Sequence, residues 1–259
     1  MASTDQYLDQ SMDPASAQAV ETGDQISPAT WWDFFIYLFG CVGAYVLLST
    51  AVALIYQELN MTVTFLGALL NFLCFTGGVY LFGVRRSKLS WQGIGLLPAN
   101  ELLISILGGA LFALVLNLFR FVFFWALLIT GVDLSSLAGR EEYLLIGLDT
   151  WQGVLLSLIG IGILAPIGEE LFFRGLLYDW FRQKFPLWVA VLISSLLFGL
   201  AHYDSWIIMV STFIMGIGLA LAYQYTKSIW TSIFIHIFTN SGALLLAVLV
   251  IRLQSVFGL

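Results

Sequence analysis

The chain is 259 residues long, 60% hydrophobic and 10% charged, with a formal net charge of −6 and a mean hydropathy of +0.94. Soluble domains carry roughly 25% charged residues, so this composition excludes a soluble enzyme, a disordered protein and a disulfide scaffold, and its acidic balance argues against a nucleic-acid partner. What is left is an all-α protein, a polytopic transmembrane helical bundle of about seven spans (six to eight).

Residues 1–30 are polar and acidic (Asp5, Asp9, Asp13, Glu21, Asp24) and hold no Lys or Arg. A secretory signal would open on a basic stretch, so this segment reads as a disordered acidic tail ending near Pro28. Residues 31–149 then form an amino-terminal membrane portion, with apolar runs at 33–56, 62–84 and 101–130. Each can supply the ~20 helical residues that a hydrocarbon core demands. Between the second and third lies 85–100, too polar to span, whose Trp91 and Pro98 suit a turn at the membrane interface.

Residues 150–259 form the second portion. A fourth run starts near Thr150 and passes through Pro166; further runs follow at 187–201, 206–225 and 228–251. Cys41 and Cys74 lie in apolar runs and read as small buried hydrophobes. Gly77, Gly78, Gly108, Gly109, Gly160, Gly162, Gly216 and Gly218 suit close helix packing.

Basic residues fix an expected orientation. With the amino terminus inside, Arg85, Arg86, Lys88, Arg182, Lys184 and Lys227 fall on the cytoplasmic side. Arg140 and Arg252 fall outside, with Asp133, Glu141, Glu142 and Asp149. The excess of Lys and Arg inside predicts a multi-pass integral membrane protein with a cytoplasmic amino terminus.

Ionisable groups within apolar runs are costly, and each is therefore a functional candidate. Three groups stand out: Glu169, Glu170 and Arg174 just after Pro166; Phe198 and His202; His236 and Asn240. The two histidines are the only ones in the chain. Either could be a packed, satisfied residue, and Glu170 could be no more than a counter-ion, since Arg174 lies one helical turn on. Glu169 points about 100° away from that pair and is the carboxylate left for another helix. If the chain turns back at Pro186, Glu169 and His202 both lie roughly 25 Å from the turn at 1.5 Å rise per residue. His236 and Asn240 lie roughly 14–20 Å from the same side, so three helices can gather Glu169, His202, His236 and Asn240 around one point. A carboxylate and an imidazole can take a proton from water aimed at a carbonyl, and a second imidazole with an amide can hold the resulting oxyanion.

In their order and spacing, Glu169-Glu170…Arg174, Phe198…His202 and His236…Asn240 resemble the EExxxR, FxxxH and HxxxN motifs of the CPBP intramembrane proteases, the CAAX prenyl protease 2 or Abi family that includes lysostaphin resistance protein A-like proteins. The likeness covers about residues 150–250. It implies endoproteolysis within the membrane, with Glu169 catalytic, His202 activating water, His236 and Asn240 binding the oxyanion, and Glu170, Arg174 and Phe198 in support. It also implies a lipid bilayer and a membrane-associated or lipidated protein or peptide substrate as partners. No cofactor is favoured. Zinc is the second choice, because Glu169, His202 and His236 would make a three-ligand set with an open position.

Other membrane proteases are excluded by absence: there is no HExxH, no GxGD and no GxSxG. The competing function is a proton- or ion-coupled transporter using the same Glu/His cluster, for which Pro166 would supply a broken helix.

Overall fold

The computed structural model describes residues 26–96, 102–133, 137 and 145–257. Among these residues there are seven apolar helices and no strands. We number them α1 (Trp31–Tyr56), α2 (Met61–Val84), α3 (Leu102–Ile129), α4 (Trp151–Arg182), α5 (Leu187–Leu200), α6 (Trp206–Thr226) and α7 (Ile229–Phe257). Six are long and apolar enough to cross a membrane; α5, with 14 residues, is the shorter one. The molecule is a multi-pass helical membrane protein. Every helix begins and ends within a few residues of its expected place, except that α7 continues beyond residue 251 to Phe257.

Caps explain the starts. Asn60, Thr150 and Ser205 each turn a side-chain oxygen onto a first-turn N–H of α2, α4 and α6, and Thr30 and Asp33 form a reciprocal capping box at α1.

α4 is the axis of the bundle. Its stretch Leu171–Tyr178 is buried on all sides, as expected of a helix enclosed by others rather than by lipid. α2, α5, α6 and α7 pack around it, α3 lies along α7, and α1 along α2. The α3–α7 seam is made by small groups: Ser105, Gly109 and Ala113 are buried at four-residue spacing, and Ser105 Oγ meets Thr231 Oγ1 at 3.1 Å. On the opposite face of α3, Leu103, Ile104, Leu107, Leu111, Leu114 and Leu118 are exposed, the surface a lipid-facing helix presents.

Two stretches of α4, Leu158–Leu164 and Leu171–Tyr178, wind as wide π turns. The first precedes Pro166, which has no N–H to offer the carbonyls one turn back. Those carbonyls are taken by α7: Asn240 Nδ2 donates to Ile161 O at 3.2 Å and Ser241 Oγ to Gly162 O at 3.4 Å.

The last residues of the acidic segment make contacts with the helices and turns that follow. Ser27 N donates to Ser87 O, Ala29 N to Gln183 Oε1 and Lys184 Nζ to Ala29 O, and Ala29 is buried. Residues 26–30 are therefore part of the bundle; the rest of the expected tail, residues 1–25, lies outside the described residues. So do Pro98, Arg140, Glu141 and Glu142. Residues 85–96 do form the expected turns. They tuck Ile94 against α4 and α7, with Ile229 N donating to Ile94 O and Trp230 Nε1 to Leu96 O. Gly95 has φ +69° and sits against the Lys227 carbonyl, where a Cβ has no room. Cys41 is buried and Cys74 half-buried, and neither is in a disulfide.

Candidate active site

The site is built where α4, just past Pro166, meets α2, α5, α6 and α7. Glu170 and Arg174 pair as their spacing predicts: Arg174 Nη1 donates to Glu170 Oε1 at 3.0 Å, and the two side chains are 0% and 1% exposed. The guanidinium also donates to Gly216 O of α6 at 3.3 Å and lies over the Phe198 ring at 4.4 Å, a desolvated cation–π contact. The charge is thus held by a carboxylate, a carbonyl and an aromatic face.

His236 joins this pair. Its Nδ1 lies 2.8 Å from Glu170 Oε1, an oxygen already receiving a guanidinium proton. A carboxylate oxygen accepts, so Nδ1 is the donor and the ring orientation is fixed. Nε2 then faces Glu169, 3.8 Å from Oε2, a gap that suits a shared water. His236 is 2% exposed and Glu169 14%. Glu169 is therefore the more open carboxylate, as its place on the helix implied.

Its other oxygen has a partner that the sequence did not announce. Asn71 of α2 donates Nδ2–H to Glu169 Oε1 at 3.2 Å. The signal was present: one amide in an otherwise apolar run is expensive in lipid unless it is used.

His202 lies just beyond α5, on the turn that follows Leu200, rather than on the helix. Its ring folds back so that Nδ1 is 2.9 Å from Phe198 O. A carbonyl can only accept, so Nδ1 carries the hydrogen and a neutral ring keeps its lone pair on Nε2. Phe198 is fully buried, with its ring 5.2 Å from that of His202 and 5.6 Å from that of His236. The structure thus brings Glu169, Glu170, Arg174, Phe198, His202 and His236 into one connected cluster. Asn240, one turn beyond His236, is joined through its amide to Ile161 instead; its second N–H is not committed by that bond.

Among the described residues no three His, Cys, Asp or Glu side chains gather at metal-binding spacing. No step below is routed through a metal. What the arrangement can do is polarise a water between Glu169 and an imidazole, beside hydrogen-bond donors fixed by a buried ion pair.

Residues 151–242 match the Rce1-like family model, described as type II CAAX prenyl endopeptidase Rce1-like. This segment is similar to that family. A protein of Bacillus subtilis (strain 168) named "Putative membrane peptidase YdiL" is 35% identical over 130 residues, covering 46% of this chain and 51% of the relative. An "Uncharacterized 24.3 kDa protein" of Escherichia coli is 32% identical over 96 residues, 36% of this chain and 44% of the relative. The chain thus spans about half the length of the curated relatives it matches. No solved structure matches it. The Rce1-like segment runs from the start of α4 into α7 and contains every motif residue.

Proposed function

We propose that this protein is an intramembrane endopeptidase that hydrolyses peptide bonds of membrane-associated or lipidated substrates. The single observation that carries the reading is the relay Glu169–His236–Glu170–Arg174, in which one carboxylate is locked in a buried ion pair while its neighbour stays open toward an imidazole. The family description, type II CAAX prenyl endopeptidase, and the relative named as a membrane peptidase support the same class.

In the proposed reaction Glu169, assisted by His202 Nε2, takes a proton from water. The hydroxide adds to the substrate carbonyl carbon. The oxyanion is held by His236 Nε2–H and the second N–H of Asn240. With Nδ1 directed at Glu170, Nε2 is the ring nitrogen left to face the reacting carbonyl. As the tetrahedral intermediate collapses, the C–N bond breaks and Glu169 returns the proton to the departing amine, leaving an acid and an amine as products. No metal enters these steps.

Arg86, Lys88, Lys184 and the chain around Ala29 are tied together at one end of the bundle, while Arg252 meets the Asp149 carbonyl far along the chain. The first end is the cytoplasmic one in our reading, by the basic-inside rule.

The test uses the full chain in phospholipid vesicles with a farnesylated peptide ending in a CAAX sequence, together with terminal-peptide profiling of host membranes. Wild type should create new termini that Glu169→Gln does not. Equal cleavage by both, or an ion flux lost in Glu169→Gln with no cleavage by either, overturns the reading. Cleavage should survive zinc chelation; a loss restored by added zinc would replace the metal-free mechanism with one ligated by Glu169, His202 and His236.

A further inference from the structure

We infer that Asn71 of α2 is a positioning residue for the catalytic carboxylate, an assignment that rests on Glu169 acting as the base. Asn71 stands 98 residues from Glu169 in the chain yet donates Nδ2–H to Glu169 Oε1 at 3.2 Å. That leaves Oε2 as the oxygen turned to His236 Nε2. A carboxylate on a helix can rotate about its side-chain torsions; holding one oxygen decides where the other one points.

Two further observations separate this contact from ordinary packing. The first is the orientation of the amide. Its Oδ1 is buried with no hydrogen-bond partner. Turning the amide over would set Oδ1 against a carboxylate oxygen, two acceptors face to face, so the N–H end is the one that meets Glu169. Among the described residues, the bond to Glu169 is thus the sole hydrogen bond of a side chain only 8% exposed. An amide kept in an apolar interior for one partner is placed for that partner, because leucine, of nearly the same shape, would pack there without an orphaned acceptor.

The second is the backbone approach that delivers it. Gly168, next to Glu169, faces α2 so closely that a Cβ there would stand 2.9 Å from Phe72 Cα and 3.4 Å from Asn71 O. Any side chain at 168 would push α2 away and lift Asn71 off the carboxylate. The glycine beside the acid pair and the amide on α2 therefore work as one device, with the first setting the helix separation that the second requires.

The experiment compares wild type, Asn71→Leu, Asn71→Ala and Gly168→Ala, as full chains in phospholipid vesicles. One measurement needs no substrate. The infrared carboxylate band of Glu169, isolated by subtracting the spectrum of the matching Glu169→Gln protein, should shift in Asn71→Leu and in Asn71→Ala. A band unmoved in both overturns the inference. The second measurement is cleavage of the farnesylated peptide or of a bond found by terminal profiling. Here kcat should fall about 10–100-fold, the worth of one hydrogen bond to a charged group, with KM within about twofold. Gly168→Ala should reproduce that split. In a Glu169→Asp background, where the carboxylate is already withdrawn, Asn71→Leu should cost less than about threefold more. A wild-type kcat in Asn71→Leu, or full additivity with Glu169→Asp, overturns the inference while leaving the peptidase reading intact. A wild-type kcat in Glu169→Gln overturns the peptidase reading instead, and the infrared shift then still reports the contact.

Discussion

Two carboxylate sites in this molecule are held in opposite ways. At the start of α1, Asp33 is surrounded by donors: Oδ1 meets Arg86 at 2.9 Å and Oδ2 meets Lys88 at 3.7 Å, and Oδ2 accepts from Thr30 N at 2.6 Å and Thr30 Oγ1 at 2.8 Å. One acid is surrounded by two cations and a capping box. At the centre, two adjacent acids stand beside one guanidinium that pairs with Glu170, and Glu169 has an amide donor and an imidazole 3.8 Å away. The first arrangement fastens the chain. The second is short of partners, so its carboxylate is available to a proton. Counting donors around a buried acid separates an anchor from a reagent.

Substitutions can break that contrast. The largest effect should be on cleavage by Glu169→Gln: a loss of about 10²–10⁴-fold, the worth of a general base, with unchanged protein yield. His202→Ala should cost nearly as much, since both groups act on one water; turnover close to wild type in a peptide-cleavage assay would remove His202 from the mechanism. Glu170→Ala should act on stability, leaving Arg174 without its carboxylate at a cost of about 3–5 kcal/mol, read as lost yield and a lower Tm in detergent. Replacing both, as Glu170→Leu with Arg174→Met, should recover yield and not cleavage, because His236 Nδ1 then has no acceptor. The smallest effect belongs to Asp33→Ala: about 1 kcal/mol for the lost cap, as a modest drop in Tm with kcat unchanged. If Asp33→Ala instead matched Glu169→Gln in the cleavage assay, the distinction between anchor and reagent would fall.

Much of the fold could be read from local features. Helix ends follow Asn60, Thr150, Pro186 and Ser205 because caps and prolines act over one turn. The Glu170–Arg174 pair is equally local, one turn apart on one helix. Long-range partners were harder. Asn71 passed as one polar residue in an apolar run, since nothing near it in sequence says that α2 will lie against Gly168. Asp33 read as the edge of an apolar run, its cations being supplied by the 85–88 turn. His202 lies one turn beyond Phe198 in sequence, but the helix stops first, and the ring returns to the Phe198 carbonyl. The use of Asn240 against Ile161 follows from Pro166, whose missing N–H frees acceptors that only α7 can reach.

The brevity of α5 has a consequence for the lipid around it. Trp188, Leu192, Leu196 and Leu200 form an exposed apolar stripe along it, so this helix touches acyl chains. Yet its 14 residues rise only about 21 Å, against a hydrocarbon thickness of about 30 Å. A flat bilayer would bury the turn carrying His202, Tyr203 and Asp204, with Tyr203 84% exposed, in hydrocarbon. The cheaper outcome is a local dimple that brings headgroups and water down to the end of α5. Under the proposed function, hydrophobic mismatch at this one short helix would furnish a wet entrance for hydrolysis, and it would tie the hydration of the His202 turn to the thickness of the host bilayer.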